Sequence, residues 1–174
     1  GSGASNRFII KVGGNVGIGV ASPTATLDVN GTIKLDCNYP VGTGNVALGD
    51  AALDSLTTGN YNVAIGSGAL PANTTGVYNV ATGYNALYSN TTGGSNTATG
   101  YQALYANTTG TNNTANGLSA LYANTTGNYN TATGYRALRY NTTGGSNVAT
   151  GYQALFSNTT GTNNTANGLS ALYA

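Results

Sequence analysis

The strongest constraint on this chain is a period. The phrase Asn-Val/Thr-Ala-x-Gly returns every 17 residues, opening at Asn45, Asn62, Asn79, Asn96, Asn113, Asn130, Asn147 and Asn164. No insertion or deletion disturbs the register, so seven full units are followed by an eighth that stops at Ala174, which reads as a longer fibre cut short. An unbroken period of this length implies stacked repeats, each unit packing on the one before it.

Counting from Asn45 as position 1, several columns never change. Position 3 is alanine (Ala47 to Ala166) and position 5 is glycine (Gly49 to Gly168). Positions 8 and 9 are Ala-Leu (Ala52-Leu53 to Ala171-Leu172), and positions 13 to 15 are Thr-Thr-Gly (Thr57-Thr58-Gly59 to Thr159-Thr160-Gly161). Two glycines per unit and paired β-branched residues leave no room for a helix of about ten residues. Positions 2 to 4 read as a short strand, with 2 and 4 on one face and 3 on the other. The glycines at 5 and 15 read as corners with positive φ. Asn-Thr-Thr-Gly at 12 to 15 reads as turn chemistry, because Asn and Thr side chains bond nearby backbone. The same reading covers the Asn-Thr-Thr sequons at Asn73, Asn90, Asn107, Asn124, Asn141 and Asn158. Leucine 9 is the one large apolar residue kept in every unit, so it is the expected core row, each burial contributing roughly 1.5–3 kcal/mol. Small alanines at 3 and 8 imply that two walls of the coil approach closely. Asparagine 1 is expected to form a ladder, each amide bonding the next.

The expected fold is therefore all-β: a parallel β-solenoid of 17-residue coils over residues 45–174, with a small N-terminal β cap or neck over 1–44. Eight coils stacked at ~4.8 Å make a rod of roughly 35–40 Å. Gly1-Ser2-Gly3 reads as a cloning scar. In the cap, Arg7 to Val12 reads as a strand and Gly13-Gly14 ends it. Asn15-Val16-Gly17-Ile18-Gly19 echoes the repeat and reads as a degenerate coil. Ser22-Pro23 marks a turn, and Thr26–Val29 and Thr32–Leu35 read as a hairpin through Asn30-Gly31.

Composition narrows function. Charged residues are 5% of the chain, and none lies between Asp54 and Arg136. A nucleic-acid binder needs clustered Lys and Arg, so none is expected. No apolar run approaches the ~20 residues of a membrane helix, so no membrane insertion is expected. Cys37 is the one cysteine and reads as a small apolar residue. The acids are Asp28, Asp36, Asp50 and Asp54, with no histidine or glutamate. An acid/base pair would have to come from these four, and no cluster resembles a metal site. The chain is expected to be no enzyme and to carry no cofactor. Asp50 and Asp54 read as a solvated end of the first coil.

The expected site is aromatic. Position 6 carries Tyr84, Tyr101, Tyr135 and Tyr152; position 10 carries Tyr88, Tyr105, Tyr122 and Tyr173, with Phe156 matching. Stacked coils place these in rows. Tyr84, Tyr88, Tyr101, Tyr105, Tyr135 and Tyr152 are the candidate residues. They serve either as ladders packing coil on coil and chain on chain, or as a surface that stacks on sugar rings. If the segment is extended and Leu104 points in, strand parity sends Tyr101 out.

The strand face leaves a second function open. Positions 2 and 4 begin as Val46/Leu48 and Val63/Ile65 and become Thr97/Thr99, Thr114/Asn116 and Thr131/Thr133. Either this face meets a wet interior or it meets solvent. Outward and flat, paired threonines suit an ice-binding solenoid; turned inward, they exclude one.

The run from Asn96 to Gly110, Asn-Thr-Ala-Thr-Gly-Tyr-Gln-Ala-Leu-Tyr-Ala-Asn-Thr-Thr-Gly, resembles repeats of bacteriophage tail fibres and bacterial surface fibres. The run from Asn15 to Ile33 resembles a segment that often precedes such repeats. Asn62-Val63-Ala64-Ile65-Gly66 is similar to the head repeat of trimeric autotransporter adhesins, whose period is shorter. The resemblance implies a structural or adhesive fibre at the cell exterior or virion surface. It further implies a homotrimer and a host glycan or receptor as partner.

Overall fold

A computed structural model describes residues 8–10, 16–18, 27–29 and 42–174. The chain divides into two compact units, Gly1–Leu35 and Asp36–Ala174. In the first, β1 (Phe8–Ile10) pairs antiparallel with β2 (Val16–Ile18), and β2 pairs parallel with β3 (Leu27–Val29). The strands read at Arg7–Val12 and Thr26–Val29 are thus present in their described residues, and the Asn15–Gly19 echo supplies β2. Gly13-Gly14, Ser22-Pro23, the Asn30-Gly31 hairpin with its Thr32–Leu35 arm, and Cys37 lie outside the described residues.

The second unit is a parallel β-solenoid of 17-residue coils. Each coil contributes one three-residue strand: β4 (Val46–Leu48), β5 (Val63–Ile65), β6 (Val80–Thr82), β7 (Thr97–Thr99), β8 (Thr114–Asn116), β9 (Thr131–Thr133), β10 (Val148–Thr150) and β11 (Thr165–Asn167). All eight lie in one sheet in sequence order, and each pairs parallel with the next. The register never slips: Thr97 faces Thr114 and Ala98 faces Ala115, so like positions stack on like.

Alternation holds in the strands as read. Ala98 is buried while Thr97 and Thr99 are exposed, and the same pattern recurs at β8, β10 and β11. The core is a line of alanines at positions 3 and 8 and leucines at 9; Leu70, Leu87, Leu104, Leu121 and Leu138 are fully buried. The two-walls reading is right, since both alanine rows belong to this one cluster.

Strand parity does not extend to positions 6 to 10. Ala103 and Leu104 are adjacent, yet both are buried. The backbone explains this: Gln102 (φ 54°) and Leu104 (φ 50°) sit in the left-handed region, as do positions 7 and 9 of every coil where the residue is not glycine. Such a conformation costs an L-residue roughly 1–2 kcal/mol. Hydrogen bonds to both neighbours offset it. Gln102 N–H donates back to Tyr84 C=O at 2.9 Å, and Leu104 N–H donates forward to Ala120 C=O at 3.0 Å. Tyr101 does point outward as expected, but a turn puts it there, not a strand.

Buried asparagines set the coil's shape. The ladder read at position 1 is present: Asn113 Nδ2 donates to Asn96 Oδ1 at 3.2 Å, and Asn113 N–H donates to the same oxygen at 3.0 Å. From Asn45 to Asn147 each such amide also closes its own coil, as Asn96 Nδ2 does on Gly110 C=O at 2.8 Å. A second ladder runs at position 12. Asn107 Nδ2 donates to Asn90 Oδ1 at 2.8 Å and to Gly110 C=O at 3.0 Å. The bond to the glycine three residues on is the expected turn chemistry. The coil-to-coil bond and the complete burial of Asn73, Asn90, Asn107, Asn124 and Asn141 are not. These sequon amides are therefore spent inside the rod. Leu56 occupies position 12 in the first coil, buried below the start of this ladder.

The glycine at position 5 has positive φ, 132° at Gly100, as read. Position 15 is a correction, because its glycines are absent from the positive-φ set. Their reason is space. A Cβ on Gly110 would lie 2.4 Å from Asn107 Oδ1 and 2.6 Å from Gly127 C=O. Glycine here lets two amide ladders and the next coil's backbone meet at one point.

Two predictions follow from this packing. Leu104→Ala and Leu121→Ala should each cost about 2–5 kcal/mol, measured by denaturant unfolding; unchanged midpoints for both would mean the core is elsewhere. Gly110→Ala should destabilise far more than Gly94→Ala, whose Cβ meets nothing closer than 3.2 Å. Equal melting temperatures for the two glycine variants would refute the crowding argument.

Candidate functional site

The six candidate tyrosines fall into axial columns. At position 6, Tyr84 stacks on Tyr101 with centroids 5.4 Å apart, and Tyr135 on Tyr152 at 5.0 Å. Leu118, 41% exposed, interrupts this column between the pairs. At position 10, Tyr88, Tyr105 and Tyr122 stack in a run at 5.1 and 5.0 Å. All six reach the surface: Tyr84, Tyr88, Tyr101 and Tyr152 are exposed, and Tyr105 and Tyr135 are half-buried.

The spacing follows from the in-register sheet, which repeats each side chain one strand spacing along the rod. Ring planes within a pair differ by 4° to 14°. Inside a column, then, ring faces are turned to the coils before and after, and edges with hydroxyls face sideways. The stack is broken where a coil carries no aromatic residue at the position, as at Leu118. The arrangement is first a coil-to-coil ladder, each pair contributing about 0.5–1.5 kcal/mol beyond burial.

The columns at 6 and 10 adjoin. Burial, followed by the neighbours Tyr122, Tyr88 and Tyr84, raises the Tyr105 phenol above its ordinary pKa. Like charge on those neighbours disfavours the ionised form of Tyr105.

Sequence reading missed three features. A further column at position 17 stacks Tyr61 on Tyr78 at 5.2 Å. The signal was visible, since Tyr61, Tyr78 and Tyr129 share that position. Tyr140, at position 11, meets Phe156 edge-on at 5.0 Å, and Phe156 stacks on Tyr173 at 4.9 Å. Two arginines lie in the aromatic surface: Arg136 over Tyr135 at 4.8 Å, and Arg139 over Tyr122 at 4.8 Å and Tyr140 at 5.6 Å. Arg139 occupies position 10, where a flat guanidinium takes the place of a ring in the stack.

The strand face is a separate surface. Its outward residues include Val80, Thr97, Thr99, Thr114, Asn116 and Thr133, all exposed and all uncharged. Asp50 and Asp54 are exposed at the first coil. Among the described residues no group of three or more His, Cys, Asp or Glu could hold a metal ion, and no helix is long and apolar enough to cross a membrane.

The Tyr105 shift has a pH consequence. The folded state holds this proton more tightly than the unfolded chain does. The contribution is complete below the ordinary tyrosine pKa of about 10 and is lost as pH rises through the raised folded value. The melting-temperature difference between wild type and Tyr105→Phe should shift against wild type above that pH. A difference that stays flat into strong alkali would contradict the shift.

No protein-family model matches the chain, and no curated protein or solved structure matches it significantly.

Proposed function

We propose that the solenoid is a non-catalytic segment of a structural or adhesive fibre, serving as shaft or receptor-binding region at a virion or cell surface. The observation that carries this reading is the direction of bonding. Backbone and asparagine hydrogen bonds between coils run along the rod, from each coil to the next. The sides are thereby free to vary and to make contacts, while the axis stays regular. The sequence resemblance to tail-fibre and adhesin-head repeats points the same way.

The tyrosine columns are the contact between chains of a homotrimer in this reading. Long, weakly polar stripes on a rod favour association. Tyr101→Ala and Tyr152→Ala should then weaken the assembly in light scattering and lower the melting temperature. A stable wild-type monomer would remove the trimer from the proposal. Intact trimers that no longer attach to cells or glycans would instead make the stripe the receptor site.

One observation favours a second reading, ice binding. The paired residues Thr97/Thr99 and Thr131/Thr133 lie on the outer face of a regular parallel sheet, with Thr97, Thr99 and Thr133 exposed and Thr131 half-buried. An inward face would have excluded this reading. Against it, Asn116 and Asn167 break the hydroxyl row, and Leu48 and Ile65 begin it. Thermal hysteresis decides between the two. The fibre reading expects none; hysteresis abolished by Thr99→Tyr and Thr133→Tyr would replace it with the ice-binding one.

A further inference from the structure

Beyond Asp54 the rod carries two formal charges and no more, and both are cations in one turn. Arg136 and Arg139 stand three residues apart in the coil that opens at Asn130, at positions 7 and 10. No acid lies anywhere from residue 55 to 174 to balance them. Among the described residues, neither guanidinium makes a hydrogen bond or an ion pair. Their contacts are the ring faces of Tyr135, Tyr122 and Tyr140.

Two details make this more than a solvated pair. Arg136 Nε is buried and has no hydrogen-bond partner, and it is the one such side-chain atom among the described residues. Every other buried amide in this rod is bonded, so an orphaned charged donor is out of keeping with the rest of the design. The ring contacts use none of the guanidinium N–H groups. Both arginines are half-buried, so each keeps donors at the surface that suit a planar carboxylate.

We propose that Arg136 and Arg139 form an anion-recognition site for a carboxylate-bearing sugar. The sugar rests on the surface-fibre reading above; the carboxylate rests on the arginines alone. The guanidiniums take the carboxylate. Leu118 precedes Tyr135 in the position 6 column, and Tyr140 is 45% exposed, so both offer apolar surface to the sugar ring. Gln153 occupies the place of Arg136 one coil on, where its amide suits ring hydroxyls. Two cations on a stretch that carries no other charge from residue 55 to 174 give a local site, not the extended basic track that a polyphosphate chain requires.

The chain's three arginines, Arg7, Arg136 and Arg139, allow a direct test. Their three Nε–H resonances can be followed while a uronic-acid oligosaccharide is titrated in, with Arg7 as internal control. Arg136 and Arg139 should shift and Arg7 should not, and a neutral glucose oligosaccharide of equal length should shift none. Arg136→Gln with Arg139→Gln should weaken uronate binding by about tenfold or more, with Arg136→Lys weaker than wild type because the fork is lost. Melting curves of each variant show whether the fold is kept. Unshifted arginines under the uronate would overturn the proposal. So would acetate or sulfate binding as tightly as the oligosaccharide, or shifts that track protein concentration and so report the acids of a second copy. Cell attachment separates the two readings. A double variant that still attaches defeats this site and leaves the fibre; a wild type that binds uronate but never attaches does the reverse.

Discussion

The structure depends on one constraint: fully buried side-chain amides must all be bonded. A buried amide left without a partner costs roughly 1–3 kcal/mol. Here two asparagine columns, at positions 1 and 12, are buried along the rod. They stay because each amide bonds the next coil and both bond the glycine carbonyl at position 15 of their own coil. The demand is strict. It fixes asparagine at two places, glycine at a third, and the coil length that brings them together. A single insertion would strand several amides at once, which gives a physical reason for the unbroken 17-residue period.

That interior frees the surface. Leucine and alanine fill the space that the amides leave, and the coil closes through left-handed turns that leucine tolerates only because neighbouring coils bond its backbone. Outside, the same register that aligns the amides aligns whatever each outward position carries. Tyrosines become columns, threonines become rows on an exposed face, and two arginines become a cationic spot within one coil. None of these outward features is needed to close a coil, so they are where function can be written.

The surfaces differ in what they can recognise. The strand face offers hydroxyls and methyls without charge. The aromatic face offers ring edges, and guanidiniums over rings whose donors are unused within the described residues. An adhesive fibre can use the second without the first, and an ice-binding rod the first without the second.

The sequence by itself determined the period, the parallel β-solenoid, the leucine and alanine core, the position 1 ladder and the tyrosine rows. These follow from spacing, because anything repeated in register must stack on itself. Tertiary structure decided what spacing cannot carry. Asparagine 12 looked like turn chemistry, and its burial appears only once neighbouring coils enclose it. Glycine 15 looked like a positive-φ corner, but crowding by two ladders is its reason. Positions 8 and 9 both point inward because the backbone is left-handed there, which no alternation rule reveals. The threonine face could have been either wall of the coil until the alanine at position 3 was placed inside. Arg136 and Arg139 read as two isolated charges in the sequence; only the fold lays them on tyrosine rings and leaves a buried donor unpaired. In each case a contact between coils, not a property of one residue, settled the outcome.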